Sequence, residues 1–264
     1  MKNTVSKLSR RIALGAILLF ALAVPAEEAK PKPIRVLLVT GGHPFDEEGF
    51  FAVFKSHADL DVRHVTHEKE AAKDANREFS EEKAKSYDVI VLYDLWQEIS
   101  KESREDLVKL LEGGKGLVVL HHAMADYQGW PEFRKIAGGR FCLAPLAEEG
   151  KSFPQSTATG VQKMKVKVED REHPITKGLE DFEIEEEPYG KLVVEPGVRV
   201  LLTTDCPASE KSIAWCHSYA KARVATIQLG HDRRAYENPA YRKVVGQAIR
   251  WVAGRIGEAP AGKK

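Results

Sequence analysis

Gly116-Leu-Val-Val-Leu120 is an unbroken apolar run that stops at His121-His122, and Asp88-Val-Ile-Val-Leu-Tyr93 is its counterpart one helix earlier. Such runs, without polar alternation, suit strands buried on both faces of a parallel sheet. Between them the spacing predicts a helix from Ser100 to Leu111, with Ser100 or Ser103 as cap and Gly113-Gly114 as stop. Toward the N-terminus, Arg35-Val-Leu-Leu-Val39 is a third such run, ending in Thr40-Gly41-Gly42. A helix over Asp46 to Ala58 follows it, with apolar residues at 50, 51, 53 and 54, and then a strand from Asp61 to Val65. Strands alternating with helices imply βαβ units, right-handed crossovers and a mostly parallel sheet between two helical layers.

Toward the C-terminus the pattern changes. Lys163-Met-Lys-Val-Lys-Val168 alternates polar and apolar residues, as a half-exposed strand does. Val198 to Thr203, Ser212 to Tyr219 and Arg223 to Leu229 read as further strands, the last two close enough to form a hairpin. Pro239 to Gly254 closes the chain as a helix, with Tyr241, Val244, Val245, Ala248, Ile249 and Val252 on its apolar face. No internal repeat or low-complexity tract interrupts this order. One domain with a mixed sheet, residues 34–255, is the simplest account, with residues 256–264 as a disordered tail.

The N-terminus reads as a targeting segment. A basic stretch ends at Arg10-Arg11, Ile12 to Val24 is apolar, and Val24-Pro25-Ala26 fits a small-residue cleavage site. Residues 1–26 are therefore expected to be a signal peptide and 27–33 a proline-bearing tether, placing the mature protein in a periplasm or outside the cell. The apolar run is short for a spanning helix of about 20 residues, so no stable membrane insertion is expected after its removal. Of 40 basic and 39 acidic residues, four basic and no acidic ones lie in this segment, leaving 36 against 39. That balance gives no reason to expect nucleic acid as a partner. A homo-oligomer is compatible with the composition but not specified by it. Cys142, Cys206 and Cys216 form no CxxC pair and are odd in number, so no disulfide is assigned.

Three segments end a strand with histidine: Gly41-Gly42-His43-Pro44, Leu120-His121-His122 and Leu229-Gly230-His231-Asp232. In an open parallel sheet, ligands gather at the carboxyl ends of strands. If these strands are neighbours, His43, His121 and His231 face one pocket and form a three-imidazole set with an open position, the recipe for a catalytic zinc or similar divalent ion. The same residues could instead work as general acid and base near neutral pH, or be hydrogen-bonded loop histidines without a ligand. His57, His64, His67 and His217 lie inside elements or a charged loop and read as structural. In the acidic run Glu185-Glu186-Glu187-Pro188-Tyr189, the proline and tyrosine could turn Glu187 inward as base, ligand or hydroxyl-binding group. Asp232 could orient His231 or bind substrate. Tyr127, Trp130, Tyr189, Trp215 and Tyr236 lie near these segments in sequence and could stack on a sugar. No GxSxG elbow, Walker loop or GxGxxG loop occurs, which removes serine-hydrolase and nucleotide-cofactor readings.

Taken in order, Thr40-Gly-Gly-His43, Gly116 to Ala123, Trp130-Pro-Glu-Phe133, Gly138-Gly-Arg-Phe141 and His173-Pro-Ile-Thr-Lys-Gly-Leu179 resemble signatures of the ThuA-like (trehalose-utilisation) family. So do Glu186-Glu187-Pro188-Tyr189, Ile213-Ala-Trp215, Leu229-Gly-His231-Asp232 and Ile249-Arg-Trp251-Val-Ala-Gly254. The resemblance implies a flavodoxin-like three-layer fold related to class I glutamine amidotransferases, and a link to carbohydrate use, including 3-keto sugars or glycosides. It points to His43, His121, Glu187, Tyr189, His231 and Asp232 as pocket residues. Glu187, His231 and His122 are then the expected catalytic groups, with Tyr189, Asp232, Trp130 and Tyr127 against the substrate. An amidotransferase of this architecture needs cysteine at the turn after its central strand; here the turn reads Leu120-His121-His122-Ala123, so glutaminase activity is excluded. Two departures stand out. Ala144 occupies a position where the family commonly has histidine, and Ala220-Lys-Ala-Arg223 replaces a Gly-Lys-Gly-Arg turn.

Overall fold

Alternate residues of each central strand enter opposite cores, which is why the runs read as continuous apolar sequence. In β1 (Ile34–Gly41), Val36 and Leu38 face one way, Leu37 and Val39 the other. In β3 (Val89–Asp94), Val89, Val91 and Tyr93 oppose Ile90 and Leu92; in β4 (Gly116–Leu120), Val118 and Leu120 oppose Leu117 and Val119. The first core is closed by α1 (Glu47–Lys55) and the C-terminal α5 (Pro239–Val252), the second by α2 (Lys101–Glu112) and α3 (Pro131–Ala137). The result is a helix–sheet–helix sandwich. This computed structural model describes residue 1 and residues 31–68 and 74–257. The expected signal peptide beyond its first residue, most of the tether and residues 258–264 of the expected tail lie outside the described residues.

The remaining strands of the main sheet are β2 (Leu60–His67), β5 (Gln162–Val168), β6 (Phe182–Glu186), β7 (Arg199–Thr204), β8 (Ser212–Tyr219) and β9 (Ala222–Ile227). Their spatial order is β6-β5-β7-β8-β9-β4-β3-β1-β2. β2, β1, β3, β4 and β9 are mutually parallel, and β8, β7, β5 and β6 continue the sheet antiparallel. The parallel part has the 2-1-3-4-5 order of flavodoxin-like folds. Helix ends follow their local chemistry: Asp46 accepts from Gly49 N at 3.2 Å, Ser100 from Ser103 N at 3.0 Å and Asn238 from Ala240 N at 2.9 Å.

The expected helices and strands are present with ends shifted by a few residues. β6 and α3 are additions: the sequence reading had taken the first as part of an acidic run and the second as a motif only. Cys142 and Cys216 are buried and Cys206 is partly so, and Cys216 Sγ lies 3.5 Å from His173 Nε2. Among the described residues, no helix is long and apolar enough to cross a membrane.

Candidate active site at the carboxyl edge of the sheet

β4 and β9 are adjacent and parallel, so the turns that follow them meet at one edge. The first begins with His121 in the left-handed region, φ +47°. That backbone costs a residue with a Cβ roughly 1–2 kcal/mol, and here it turns the imidazole back toward β9. Its Nδ1 lies 2.7 Å from the Gln228 carbonyl, which can only accept, so Nδ1 carries the hydrogen. When the ring is neutral, Nε2 presents its lone pair to the opening. The Tyr189 hydroxyl is 2.8 Å from that Nε2, its ring stacked on the imidazole at 4.6 Å.

The second turn is fixed by a buried carboxylate. Glu186, fully buried at the end of β6, accepts from Glu187 N at 2.8 Å and His231 N at 3.1 Å through one oxygen, and from Gly230 N at 2.6 Å through the other. Gly230 has φ +121°, and a Cβ there would run into the Tyr241 hydroxyl, so the close approach needs glycine. Tyr93 OH donates to Gly230 O at 2.8 Å and Tyr236 OH to His231 O at 3.0 Å. Gln228 Nε2 donates to Glu187 O at 2.7 Å. Two segments far apart in sequence are thus stitched together by side-chain hydrogen bonds to backbone groups.

Three ligand-type atoms converge as a result. Glu187 Oε2 is 3.2 Å from His231 Nδ1 and 3.6 Å from His121 Nε2, and the two imidazole nitrogens are 3.4 Å apart. All three lie within 4.8 Å of one another. Burial would raise the Glu187 carboxyl, but the adjacent His121 and His231 imidazoles outweigh it and hold it at about 2. The same contact raises His231 against its own desolvation. Glu186 is raised by burial, opposed by His121 and by its three backbone donors. His122 is buried between Tyr93 and His43, with ring centroids at 4.3 and 4.9 Å. Burial, then the neighbouring His121 and His43, push it well below the ordinary histidine range, so it is neutral, and its Nε2 has no partner.

The other expected site residues are placed elsewhere. His43 is exposed, with Nδ1 2.8 Å from Pro44 O and its ring against His122, outside the converging trio; Glu187 stands where the expected set had His43. The carboxylate of Asp232 caps the short helix α4 (Arg233–Tyr236) by accepting from Arg234 N at 2.9 Å and pairs with the Arg234 guanidinium, which holds it below the usual aspartate range. Tyr127 and Trp130 are corrected from rim to core. Tyr127 is fully buried with its hydroxyl on Asn76 at 2.7 Å, and Trp130 stacks on Phe133 beneath Arg104. Trp215 is buried, its indole N–H on Ala137 O at 3.0 Å. Ala144 sits on an exposed loop, and the trio forms without it. Glu186 and Gln228 were not singled out from sequence. The alternation of Phe182, Ile184 and Glu186 was the signal that turns Glu186 inward.

The architecture and the edge it presents define a class: a flavodoxin-like α/β protein with an imidazole–carboxylate cluster at the carboxyl ends of its central strands. A sequence profile of the ThuA family, described as trehalose utilisation, matches residues 35–252, and the chain belongs to that family. A putative ThuA-like protein from Parabacteroides merdae has a similar structure, with a TM-score of 0.71 at 21% identity over 88% of this chain and 94% of that one. A second, from Bacteroides uniformis, gives 0.63 at 22% identity over 87% and 95%. A cytoplasmic protein from Salmonella typhimurium LT2 gives 0.58 at 10% identity over 83% and 99%, a likeness of fold alone. No curated protein matches the sequence.

Proposed function

We propose that this chain is an exported enzyme of carbohydrate utilisation that acts on a sugar or sugar derivative, such as a 3-keto sugar or glycoside, at His121, Glu187 and His231. The observation that carries the reading is the convergence of these three donors, from three separate elements, at the ligand edge of the sheet. The family's description supplies the link to carbohydrate. Two imidazole nitrogens and one carboxylate fit a divalent ion, zinc above all, and the second hydrogen bond at His121 Nδ1 is the outer contact such a ligand usually has. When bound, that ion would polarise a carbonyl or activate water.

The chain's own groups divide the remaining work. Tyr189, its hydroxyl at the trio and its phenol pushed well above the ordinary range mainly by burial, stays protonated and donates to a substrate oxygen. His122 is neutral and packs between Tyr93 and His43 beside His121. Without a metal, Glu187 and His231 form an ion pair that can relay a proton. The test begins with the metal content of residues 27–264 purified without chelator or affinity histidines. Near-stoichiometric zinc or manganese, lost in His121→Ala, supports the metal; none after reconstitution removes it. A screen of keto-sugars and glycosides follows, with His231→Ala expected to abolish turnover and keep the fold. Sugar-dependent thermal stabilisation without turnover would favour a carbohydrate-binding protein instead, and neither response would sink the carbohydrate reading.

A further inference from the structure

A second polar cluster lies at the same edge, beneath the surface at the ends of β2 and β3 and beyond β4. Asp94 and Asp126 are fully buried and His67 is 4% exposed. His67 Nε2 is 3.2 Å from Asp94 Oδ2, and the Asp94 and Asp126 carboxyls are within hydrogen-bonding reach of each other. Asp126 Oδ1 accepts from Trp96 N at 2.8 Å. His67 Nε2, both Asp94 oxygens and Asp126 Oδ2 have no hydrogen-bond partner. Four buried polar atoms without partners are costly unless hydrogens on the carboxyls and the imidazole satisfy them.

The position of those hydrogens follows from the neighbours. His67 Nδ1 accepts from Ala75 N at 3.2 Å, so the ring hydrogen is on Nε2, the nitrogen on the Asp94 side. The Trp96 indole lies flat on this imidazole, with centroids 4.6 Å apart and planes at 8°. Among the described residues, those around the carboxyls are His67, Asp74, Asn76 and Tyr127. Two bare carboxylates buried side by side repel each other, which favours one of them keeping its proton. Burial first, and then Asp94, raise the Asp126 carboxyl well above the aspartate range.

We propose that Asp94 and Asp126 bind one shared proton, and that this proton is a clasp joining the segment after β3 to the segment after β4 that bears His121 and His122. The two segments meet there: Tyr127 N donates to Trp96 O at 2.9 Å, and Gln97 Nε2 to Ala125 O at 2.9 Å. With the proton the pair carries one negative charge; without it, two like charges push the segments apart. The clasp is independent of any metal at the trio, since none of its members is a donor there.

Asp126→Asn is the isosteric replacement, its amide donating to Asp94 in place of the proton while its carbonyl still accepts from Trp96. A carboxyl raised in the folded state keeps its proton after the unfolded chain has lost it. Its stabilisation is complete below the ordinary aspartate value of about 4 and is lost as pH rises to the pair's own value. The folded-to-unfolded ratio of the wild type should therefore fall, relative to Asp126→Asn, by up to about tenfold per pH unit in that window. Protection of the Trp96 and Tyr127 amides against hydrogen exchange, corrected for intrinsic rate, should drop as the wild-type pair deprotonates and not in the variant. Carbon NMR titration of the wild-type aspartate carboxyls decides the matter even if the variant fails to fold. One carboxyl titrating far above the rest supports the shared proton; all titrating together, or parallel stability curves for the two proteins, overturns it.

Discussion

Replacing Glu186 by Gln puts an amide into a space where both carboxylate oxygens accept from backbone N–H groups. One oxygen receives Glu187 N and His231 N at 2.8 and 3.1 Å, the other Gly230 N at 2.6 Å. Whichever way the amide turns, its NH2 faces at least one N–H donor. The milder orientation leaves Gly230 N–H buried without a partner, at a cost of about 1–3 kcal/mol. The two surviving bonds change from charge-assisted to neutral, which removes roughly another 1–2 kcal/mol together. Relief from burying a carboxylate offsets part of this, leaving a net loss of about 2–4 kcal/mol. For a domain of this size that lowers Tm by about 5–12 °C, read by calorimetry at pH 7. Because the same bonds set the distance between Glu187 and His231, metal affinity should also fall about 10–100-fold. A variant melting within about 2 °C of the wild type would refute the assignment of Glu186 as the brace of the site.

Further outcomes follow from the same geometry. In metal-free protein the depressed Glu187 carboxyl, at about 2, contributes stability that is present above its unfolded value near 4.3 and lost as pH falls through that range; His231→Ala should shrink this acid-side loss in chelated samples followed by circular dichroism. Ala220 has φ +49° in the turn between β8 and β9, so Ala220→Gly should stabilise by about 0.5–1 kcal/mol and raise Tm by roughly 2 °C. Gly42 has φ +74°, and a Cβ there would collide with the Leu95 carbonyl oxygen. Gly42→Ala should cost about 2 kcal/mol or more and lower Tm by at least about 4 °C, an equal Tm being the contrary result.

Burial on both faces made the parallel strands legible. Val89 to Tyr93 and Gly116 to Leu120 have no exposed side to interrupt the apolar run, so they could be read within about a residue. The same reasoning failed at β6, where only Ile184 and Glu186 turn fully inward and the inward residue is itself acidic. Strand-end histidines could be found, but which of them meet could not. His121 and His231 converge because β4 and β9 are neighbours; His43 follows β1, which β3 separates from β4. Tyr127 and Trp130 misled for a related reason, since a chain leaving a strand end soon re-enters the core. His67 read as structural because Asp94, 3.2 Å from its Nε2, is distant in sequence.

The arrangement of the sheet explains why the site needs both halves of the chain. β6 is the outer strand of the antiparallel side, with β5, β7 and β8 between it and β9. Four strand spacings would put them about 19 Å apart in a flat sheet, yet Glu186 accepts from Gly230 N and Asn238 Nδ2 donates to Glu183 O at 2.9 Å. The chain leaving β9 at Ile227, together with the right-handed twist of the strands, brings Gly230 and Asn238 to the edge strand β6. That contact covers part of an otherwise open strand edge and delivers Glu187 and Tyr189 to His121. His121 comes from the parallel half, Glu187 from the antiparallel half, and His231 from the strand where they join. The geometry of the trio thus depends on both halves of the sheet, and Glu186 is the group that ties the end of β6 to the turn after β9.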